Sequence, residues 1–188
     1  MEAERDDEAW HGVLDGDASR FGVIWDRHRD RVFHHLLKAG VPATDAEDLT
    51  ATVFLEAWRR RSEVRFVAGS LLPWLIVTAT NVARNATRAR NRYRAFLAKL
   101  PPPLPVLDPA DQVADRNGPV TARVRQAMDD SSAIDRQLLA LTVIEQFTLR
   151  EAAVVLGISE SAAKMRLSRL RARLRASLTE PPVVKEVL

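Results

Sequence analysis

The sequence TLREAAVVLGISESAAKMRLSRLRARLR, residues 148–175, carries the signals of two short helices joined by a tight turn. Thr148 and Glu151 have the spacing of a capping box, in which each side chain bonds the backbone N–H of the other residue. Gly157 suits the left-handed end of the first helix, and Ser159 can cap the second. A helix, a glycine turn and a second helix form the helix-turn-helix pattern of DNA-binding proteins.

The second helix of this pair has two contrasting faces. Its inward stripe is apolar, at intervals of four, three and four: Ala163, Leu167, Leu170 and Leu174. The opposite ridge is small or polar: Ser161, Met165, Ser168 and Ala172. Six bases and no acid fall within residues 161–175: Lys164, Arg166, Arg169, Arg171, Arg173 and Arg175. A helix in an ordinary bundle needs the leucine stripe but not six bases, so the pattern favours insertion into a major groove.

Composition narrows the class of protein. The chain has 188 residues, of which 46% are hydrophobic, and Ala, Leu and Arg favour helix. The absence of cysteine excludes a disulfide framework and a thiolate metal site. The four histidines lack metal-ligand spacing and no glycine-rich phosphate loop is present, so we expect no metal, no cofactor and no enzyme. Without an apolar leader or a run of about 18 apolar residues, we expect a cytoplasmic protein with no membrane insertion.

A proline-rich stretch divides the chain. Five prolines fall within residues 101–109, and proline blocks helix at its own position and the one before. We therefore predict an all-α protein in which a linker, 101–118, joins two small helical domains, 20–100 and 119–178. Residues 1–19, with seven acids and one base, form an acidic N-terminal segment, and 179–188 form a flexible tail. One hypothesis is that the acidic segment shields basic surfaces of the free protein.

Apolar periodicity places the helices within these domains. In the first domain we expect a helix over 21–39, a second starting with a capping box at Thr44 and Glu47, a loop over 59–70, and a third from Pro73 to about residue 100. In the second domain we expect helices over 119–130, 133–146, 149–156 and 160–177. Trp58 and Trp74 are predicted to belong to the core.

Two exposed faces of the first domain are chemically distinct. The second helix places polar and acidic side chains opposite its buried stripe: Asp45, Asp48, Thr52 and Glu56. The third helix carries a face of amides and guanidinium groups: Asn81, Arg84, Asn85 and Arg88. Residues 84–99 hold six bases and no acid, which predicts a second contact with a polyanion. Solvated helix faces are the plainer reading of both patterns.

Three motifs in order resemble one known family. DAEDLTATVFLEAW (45–58), PWLIVTATNVARNATR (73–88) and the helix-turn-helix ending in KMRLSRLRARLR (164–175) are similar to motifs of the extracytoplasmic-function (ECF) group of bacterial sigma-70 factors. The resemblance covers about residues 20–178. It implies that the first domain is sigma region two and the second is sigma region four.

The resemblance also implies partners: bacterial core RNA polymerase, through the clamp helices of its largest subunit and its flap, and promoter DNA. Region four would read the minus-thirty-five element with Ser159, Ser161, Lys164, Met165, Arg166, Ser168 and Arg169. Region two would bind the minus-ten element, including one flipped base, with Arg60, Arg65, Phe66, Asn81, Arg84, Asn85 and Arg88. The polymerase-binding candidates are Asp45, Glu47, Asp48, Leu49, Thr52, Phe54 and Glu56.

Two matters stay open at the level of sequence. A stand-alone helix-turn-helix regulator that binds operator DNA without polymerase is the alternative function, although such proteins usually dimerise and the chain shows no obvious dimerisation element. An anti-sigma factor is a further expected partner by resemblance, because many members of the group are held inactive by one.

Overall fold

A computed structural model describes residues 5–99 and 119–179 of the chain. The helices in these ranges are α1 (Asp6–Leu14), α2 (Ala18–Lys38), α3 (Ala43–Arg59), α4 (Leu72–Leu97), α5 (Pro119–Asp129), α6 (Ala133–Leu139), a π-helical turn (Ala140–Ile144), α7 (Leu149–Leu156) and α8 (Glu160–Thr179). The only β-type pairing within them is an isolated bridge between Val67 and Ser70. The predicted all-α fold is confirmed, whereas the predicted linker lies outside the described residues.

The first domain packs α2, α3 and α4 around one apolar core. Its largest buried side chains include Phe54 of α3 at 2% exposure, with Ile24 and Leu36 of α2 and Leu75 and Ile76 of α4 at 0%. Trp74 is 8% exposed, as predicted for a core residue. Trp58 is half-buried, its ring centroid 5.3 Å from that of Phe21, so it lies at the edge of the core.

Helix α1 was not predicted. Ala9, Trp10 and Val13 form a stripe that is at most 1% exposed and packs into the first domain. Three acids in its first turn, Asp6, Asp7 and Glu8, suit the positive end of the helix dipole. Acidic character therefore marks the start of a packed helix, and Asp6 itself is buried.

The predicted capping box at Thr44 is wrong. Helix α3 begins at Ala43 with Pro42 at the capping position, and no side chain bonds its first turn. Thr44 consequently lies inside the helix, where its hydroxyl donates to Asp45 at 3.1 Å. The start of α4 is close to the prediction, because Leu72 and Pro73 occupy its first turn.

The second domain contains one departure from the predicted helices. The expected helix over 133–146 is α-helical only to Leu139 and continues as a π-helical turn to Ile144. The Glu145 N–H donates to the Ala140 carbonyl at 3.0 Å, and Gln146 adopts a positive φ of 60°. The wider turn carries Glu145 to the side of the first domain, where it is 4% exposed.

The two domains pack against each other along a seam that we define by Glu145 and Gln137 on one side and α2 and α4 on the other. Glu145 accepts from Arg31 Nε at 2.6 Å and from His35 Nδ1 at 3.0 Å. Lys38 Nζ lies 3.8 Å from the same carboxylate. Gln137 Nε2 donates to Asn81 Oδ1 at 2.9 Å.

Burial and hydrogen bonding set the charges at this seam. Burial alone would raise the pKa of Glu145, but hydrogen bonds from Arg31 and His35 hold that pKa below its usual value. Burial lowers the pKa of His35, which favours the neutral ring. In that form Nδ1 donates to Glu145, and Nε2 lies 3.1 Å from the Thr80 hydroxyl, which itself donates to the Ile76 carbonyl at 2.8 Å.

Candidate nucleic-acid interface

The helix-turn-helix has the geometry predicted from sequence. Thr148 Oγ1 accepts from the Glu151 N–H at 3.2 Å, and the Glu151 carboxylate accepts from the Thr148 N–H at 2.8 Å. Gly157 has φ 67° and ψ 35°, which is the left-handed conformation expected at the end of α7. Ser159 Oγ then accepts from the Ala162 N–H at 3.2 Å and caps α8. These bonds fix the angle between α7 and α8.

Helix α8 turns its predicted ridge to solvent. Ala163 and Leu170 are fully buried and Leu167 is 7% exposed, so the leucine stripe faces the domain core. Met165 is 52% exposed. The remaining exposed members of the predicted minus-thirty-five set are Ser159, Ser161, Lys164, Ser168 and Arg169. A polar ridge with one thioether and flanking cations is therefore accessible along the helix.

Arg166, the last member of that set, is paired with a carboxylate of α6. Its Nη1 lies 3.3 Å from Asp135 Oδ1 of α6, and Arg173 Nη2 lies 3.1 Å from Asp135 Oδ2. Burial alone would raise the pKa of Asp135, but bonds from Ser132 and the two arginines lower it. Sequence reasoning missed Asp135; its position three residues after the capping Ser132 was the available signal.

The α4 face is partly covered by the second domain. Asn81, Asn85 and Arg88 are exposed, although Asn81 also bonds Gln137 across the seam, and Arg84 is half-buried. Arg136 of α6 approaches the same cations: burial lowers its pKa, and the nearby charges of Arg84 and Arg88 lower it further. The structure thus adds a third guanidinium, unpredicted from sequence, to this basic cluster.

The loop after α3 is shaped by its return at residues 67–70. Val67 and Ser70 exchange two backbone bonds of 3.0 Å, around Ala68 and Gly69 at φ 50° and 76°. Of the three predicted loop residues, Arg60 is paired with Glu63 at 2.6 Å, and Phe66 is half-buried against Trp10. The third, Arg65, is exposed overall but lies against Gly157, in the space that a Cβ there would need.

The acidic face of α3 is accessible, with one exception. Asp45, Glu47, Asp48 and Thr52 are exposed, and Leu49 and Glu56 are half-exposed. Phe54 is 2% exposed and packs on Trp25, so it offers no surface to a partner. Leu55, which the sequence analysis did not single out, is 47% exposed three residues after Thr52 and adds an apolar side chain to the same face.

Comparisons with known proteins agree on one family. The Sigma-70 region 2 model matches residues 24–93 and the Sigma-70 region 4 model matches residues 123–174. The RNA polymerase sigma factor NccH of Alcaligenes xylosoxydans xylosoxydans is 30% identical over 178 residues, covering 89% of this chain and 91% of NccH. The chain is an RNA polymerase sigma factor of the ECF group.

Other relatives extend the comparison. The sigma factor CarQ of Myxococcus xanthus is 29% identical over 168 residues, covering 88% of this chain and 93% of CarQ. The solved structure of the sigma factor CnrH in complex with the cytosolic domain of CnrY has a TM-score of 0.57 and 25% identity, and covers 93% of this chain and 97% of CnrH. These findings support a sigma factor and give no support to a stand-alone operator-binding regulator.

The family assignment gives names to the surfaces described above. The first domain of this sigma factor is region two, with the α3 acidic face and the α4 basic face, and the second is region four, with the helix-turn-helix. Among the described residues, no three His, Asp or Glu side chains are grouped to hold a metal ion. No helix in the described ranges is both long enough and apolar enough to cross a membrane.

Proposed function

We propose that this sigma factor brings core RNA polymerase to two-part promoters by using three separate surfaces. The observation that carries the proposal is the α8 ridge, in which exposed Ser161, Met165 and Ser168 are bordered by cations on a helix that Ser159 caps. Such a helix fits a major groove, where Lys164 and Arg169 reach phosphates and the ridge meets base edges. This surface would read the minus-thirty-five element.

Region two would bind the minus-ten element. Arg84, Asn85 and Arg88 follow one face of α4 and would track the DNA backbone and base edges, with Asn81 at the same face. The loop with Arg60, Arg65 and Phe66 would receive a base turned out of the non-template strand. Extruding a base costs a few kcal/mol, which stacking and hydrogen bonds in the loop must offset.

The α3 face would bind the clamp helices of the polymerase. Asp45, Glu47, Asp48 and Glu56 provide negative charge, while Leu49, Thr52 and Leu55 provide a contact surface between them. Charge on the rim steers association, and a partly exposed leucine at the centre of such a face supplies apolar burial. Leu55 replaces Phe54 in this proposal because Phe54 is buried.

The proposed action is binding without catalysis, in the cytoplasm, and region four would also rest on the polymerase flap. Contacts to flipped bases and phosphates would offset the cost of strand separation. A further proposed partner is an anti-sigma factor, since the CnrH structure that this chain resembles contains the cytosolic domain of CnrY.

A charge-reversal pair tests the polymerase surface. Asp48→Lys is compared with Asp26→Lys, an exposed position on α2 away from the α3 face, by co-elution with core polymerase. We expect wild type and Asp26→Lys to form an equimolar complex, and Asp48→Lys to lose most of it because a cation then meets basic clamp residues. Equal complex formation by both variants would contradict the assignment of this face.

A further inference from the structure

Asp6 of α1 is a buried carboxylate to which none of the three proposed surfaces gives a role. It is 3% exposed and accepts from the Leu71 N–H at 2.7 Å, from Ser70 Oγ at 3.2 Å and from His28 Nε2 at 2.7 Å. Arg27 forms an ion pair with its other oxygen. Its own N–H donates to the Gly69 carbonyl at 3.1 Å. The bonds that do not go to α2 end on Gly69, Ser70 and Leu71, where the loop after α3 leads into α4.

Helix α1 holds the beginning of the same loop as well. Trp10 Nε1 donates to the Arg61 carbonyl at 3.0 Å, and the Trp10 ring lies edge-on to Phe66 with centroids 6.3 Å apart. The loop is thus fastened to one helix at its start, its middle and its end. Ala68 and Gly69, which are at positive φ, lie at the end that Asp6 fixes.

We propose that Asp6 is a positioning residue for minus-ten recognition, fixing the loop backbone that presents Arg65 and Phe66 to the flipped base. The inference rests on the proposed assignment of that loop. A loop that is ordered before binding loses less conformational entropy when the base arrives, so more of the contact energy is available to hold the base. The acidic helix α1 therefore supports the proposed DNA-binding loop from the side that faces the protein.

The test uses holoenzyme and a non-template-strand oligonucleotide carrying the minus-ten sequence of a promoter it transcribes, with 2-aminopurine replacing each base in turn. Asp6→Asn keeps the size of the side chain but presents an amide to the Leu71 N–H. We expect binding about tenfold weaker and loss of the fluorescence rise at the flipped base, with unchanged affinity for core and for minus-thirty-five duplex. Asp15→Asn, at an exposed acid that follows the last residue of α1, is the matched control and should behave as wild type.

A second, milder variant distinguishes a specific effect on the loop from a general loss of folded protein. Trp10→Phe keeps an aromatic ring but removes the bond to Arg61, and should weaken the oligonucleotide in the same selective way. Wild-type binding by Asp6→Asn, or equal loss on both promoter elements, would overturn the positioning role. Phe66→Ala separates the two claims: if it too binds normally, the loop assignment fails; if it alone weakens binding, only the role of Asp6 fails.

The seam carries a second, independent inference. Two minus-ten candidates are engaged by region four in the free chain: Asn81 bonds Gln137, and Arg65 lies against Gly157 of the helix-turn-helix. The contact is centred on Glu145, whose side chain is 0% exposed and faces Arg31, His35 and Lys38 of α2. Separation of the domains would exchange these partners for water, so the seam is held by the difference between its hydrogen-bonded ion pairs and the hydration that the groups regain.

We infer that Glu145 holds the two domains of the free sigma factor together, with region four contacting Asn81 and Arg65 although both stay exposed, and that the domains separate when core polymerase and promoter DNA bind. The expected effect on promoter binding rests on the proposed minus-ten assignment, whereas the closed arrangement of the domains rests only on the contacts at the seam. Because the chain has no cysteine, Ala18→Cys and Ala176→Cys, both exposed, give unique sites for a fluorescent donor and acceptor.

In the free labelled protein we expect Glu145→Gln to shift the transfer efficiency toward a longer distance at unchanged helical content. Glu160→Gln, at the exposed start of α8, should leave it at the wild-type value. No shift in Glu145→Gln would overturn the role of this carboxylate.

A covalent bridge between the domains tests whether they must separate for transcription. Residues 34 and 146 line one cavity at the seam, so His34→Cys and Gln146→Cys can be bridged by a short bis-methanethiosulfonate, which dithiothreitol releases. We expect the bridged protein to be inactive in transcription with core polymerase and the released protein to regain activity. Full activity while bridged would overturn the inference that the two domains must separate for transcription.

Discussion

Asp135 is a single carboxylate that joins α6 to two cations of α8. It accepts from Arg166 at 3.3 Å and from Arg173 at 3.1 Å while its own N–H is capped by Ser132. The side chain of Arg166 is therefore oriented by a contact within the protein. The helical pattern placed Arg166 beside the ridge, but the carboxylate that orients it lies in another helix and is visible only in three dimensions.

Replacing Asp135 should loosen this support. Asp135→Asn removes a charged acceptor from two guanidinium groups, and we expect the free energy of unfolding to fall by about 1–3 kcal/mol in urea titrations. Asp130→Asn, an exposed acid nearby, is the control and should change it by less than about 0.5 kcal/mol. A neutral result for Asp135→Asn would mean that solvent serves the two arginines equally well.

One substitution at two glycines should have opposite effects. Gly157→Ala places a Cβ at φ 67° against Arg65, so we expect a loss of about 1–2 kcal/mol in unfolding free energy. Gly22→Ala, within α2 and with open space around it, should stabilise by about 0.5–1 kcal/mol. Thermal unfolding followed by circular dichroism measures both, and a stabilised Gly157→Ala would contradict the left-handed turn.

Elements were predictable where local chemistry determines them. Helices α7 and α8 match the prediction closely because Thr148, Glu151, Gly157 and Ser159 act within a few residues of themselves. Helix α1 was missed because its buried stripe of Ala9, Trp10 and Val13 is short and lies in a segment that holds seven acids, and its stability comes from packing in the first domain. The π-helical turn was missed because the interaction that favours it, between Glu145 and α2 at the seam, is a tertiary contact. The predicted linker and most of the predicted tail lie outside the described residues.

The α8 ridge gives a prediction about salt. In the proposed interface Lys164 contacts one phosphate, so for Lys164→Ala the slope of log affinity for minus-thirty-five duplex against log salt should fall by about one unit, with equal loss on specific and random DNA. Met165→Ala changes the ridge itself and should alter base preference with the slope unchanged. Binding assays across a salt series distinguish the two effects, and identical behaviour of both variants would contradict the division into ridge and flanks.

At the scale of the whole molecule, buried charges near α2 make stability depend on pH. His35 has a lowered pKa because of burial, so the unfolded chain binds its proton more readily and stability is lost as pH falls below about 6.5. Burial opposes ionisation of Asp6 and Glu145, yet their hydrogen bonds lower both pKa values. Their contribution is present above about pH 4.5 and is lost as pH falls further.

Urea titrations from pH 8 to pH 4 measure this dependence. We expect His35→Gln to flatten the decline between about pH 6.5 and pH 5, with His34→Gln, an exposed neighbour, retaining it. A curve for His35→Gln parallel to wild type would show that the buried imidazole does not couple folding to protons.

The central claim is that this chain directs core polymerase to promoters, and run-off transcription tests it most directly. Bacterial core polymerase is incubated with a genomic fragment library of the source organism, with and without the protein. We predict transcripts that require the protein and start downstream of a shared two-part sequence. An absence of new transcripts, together with no co-elution of the protein with core polymerase, would contradict the account.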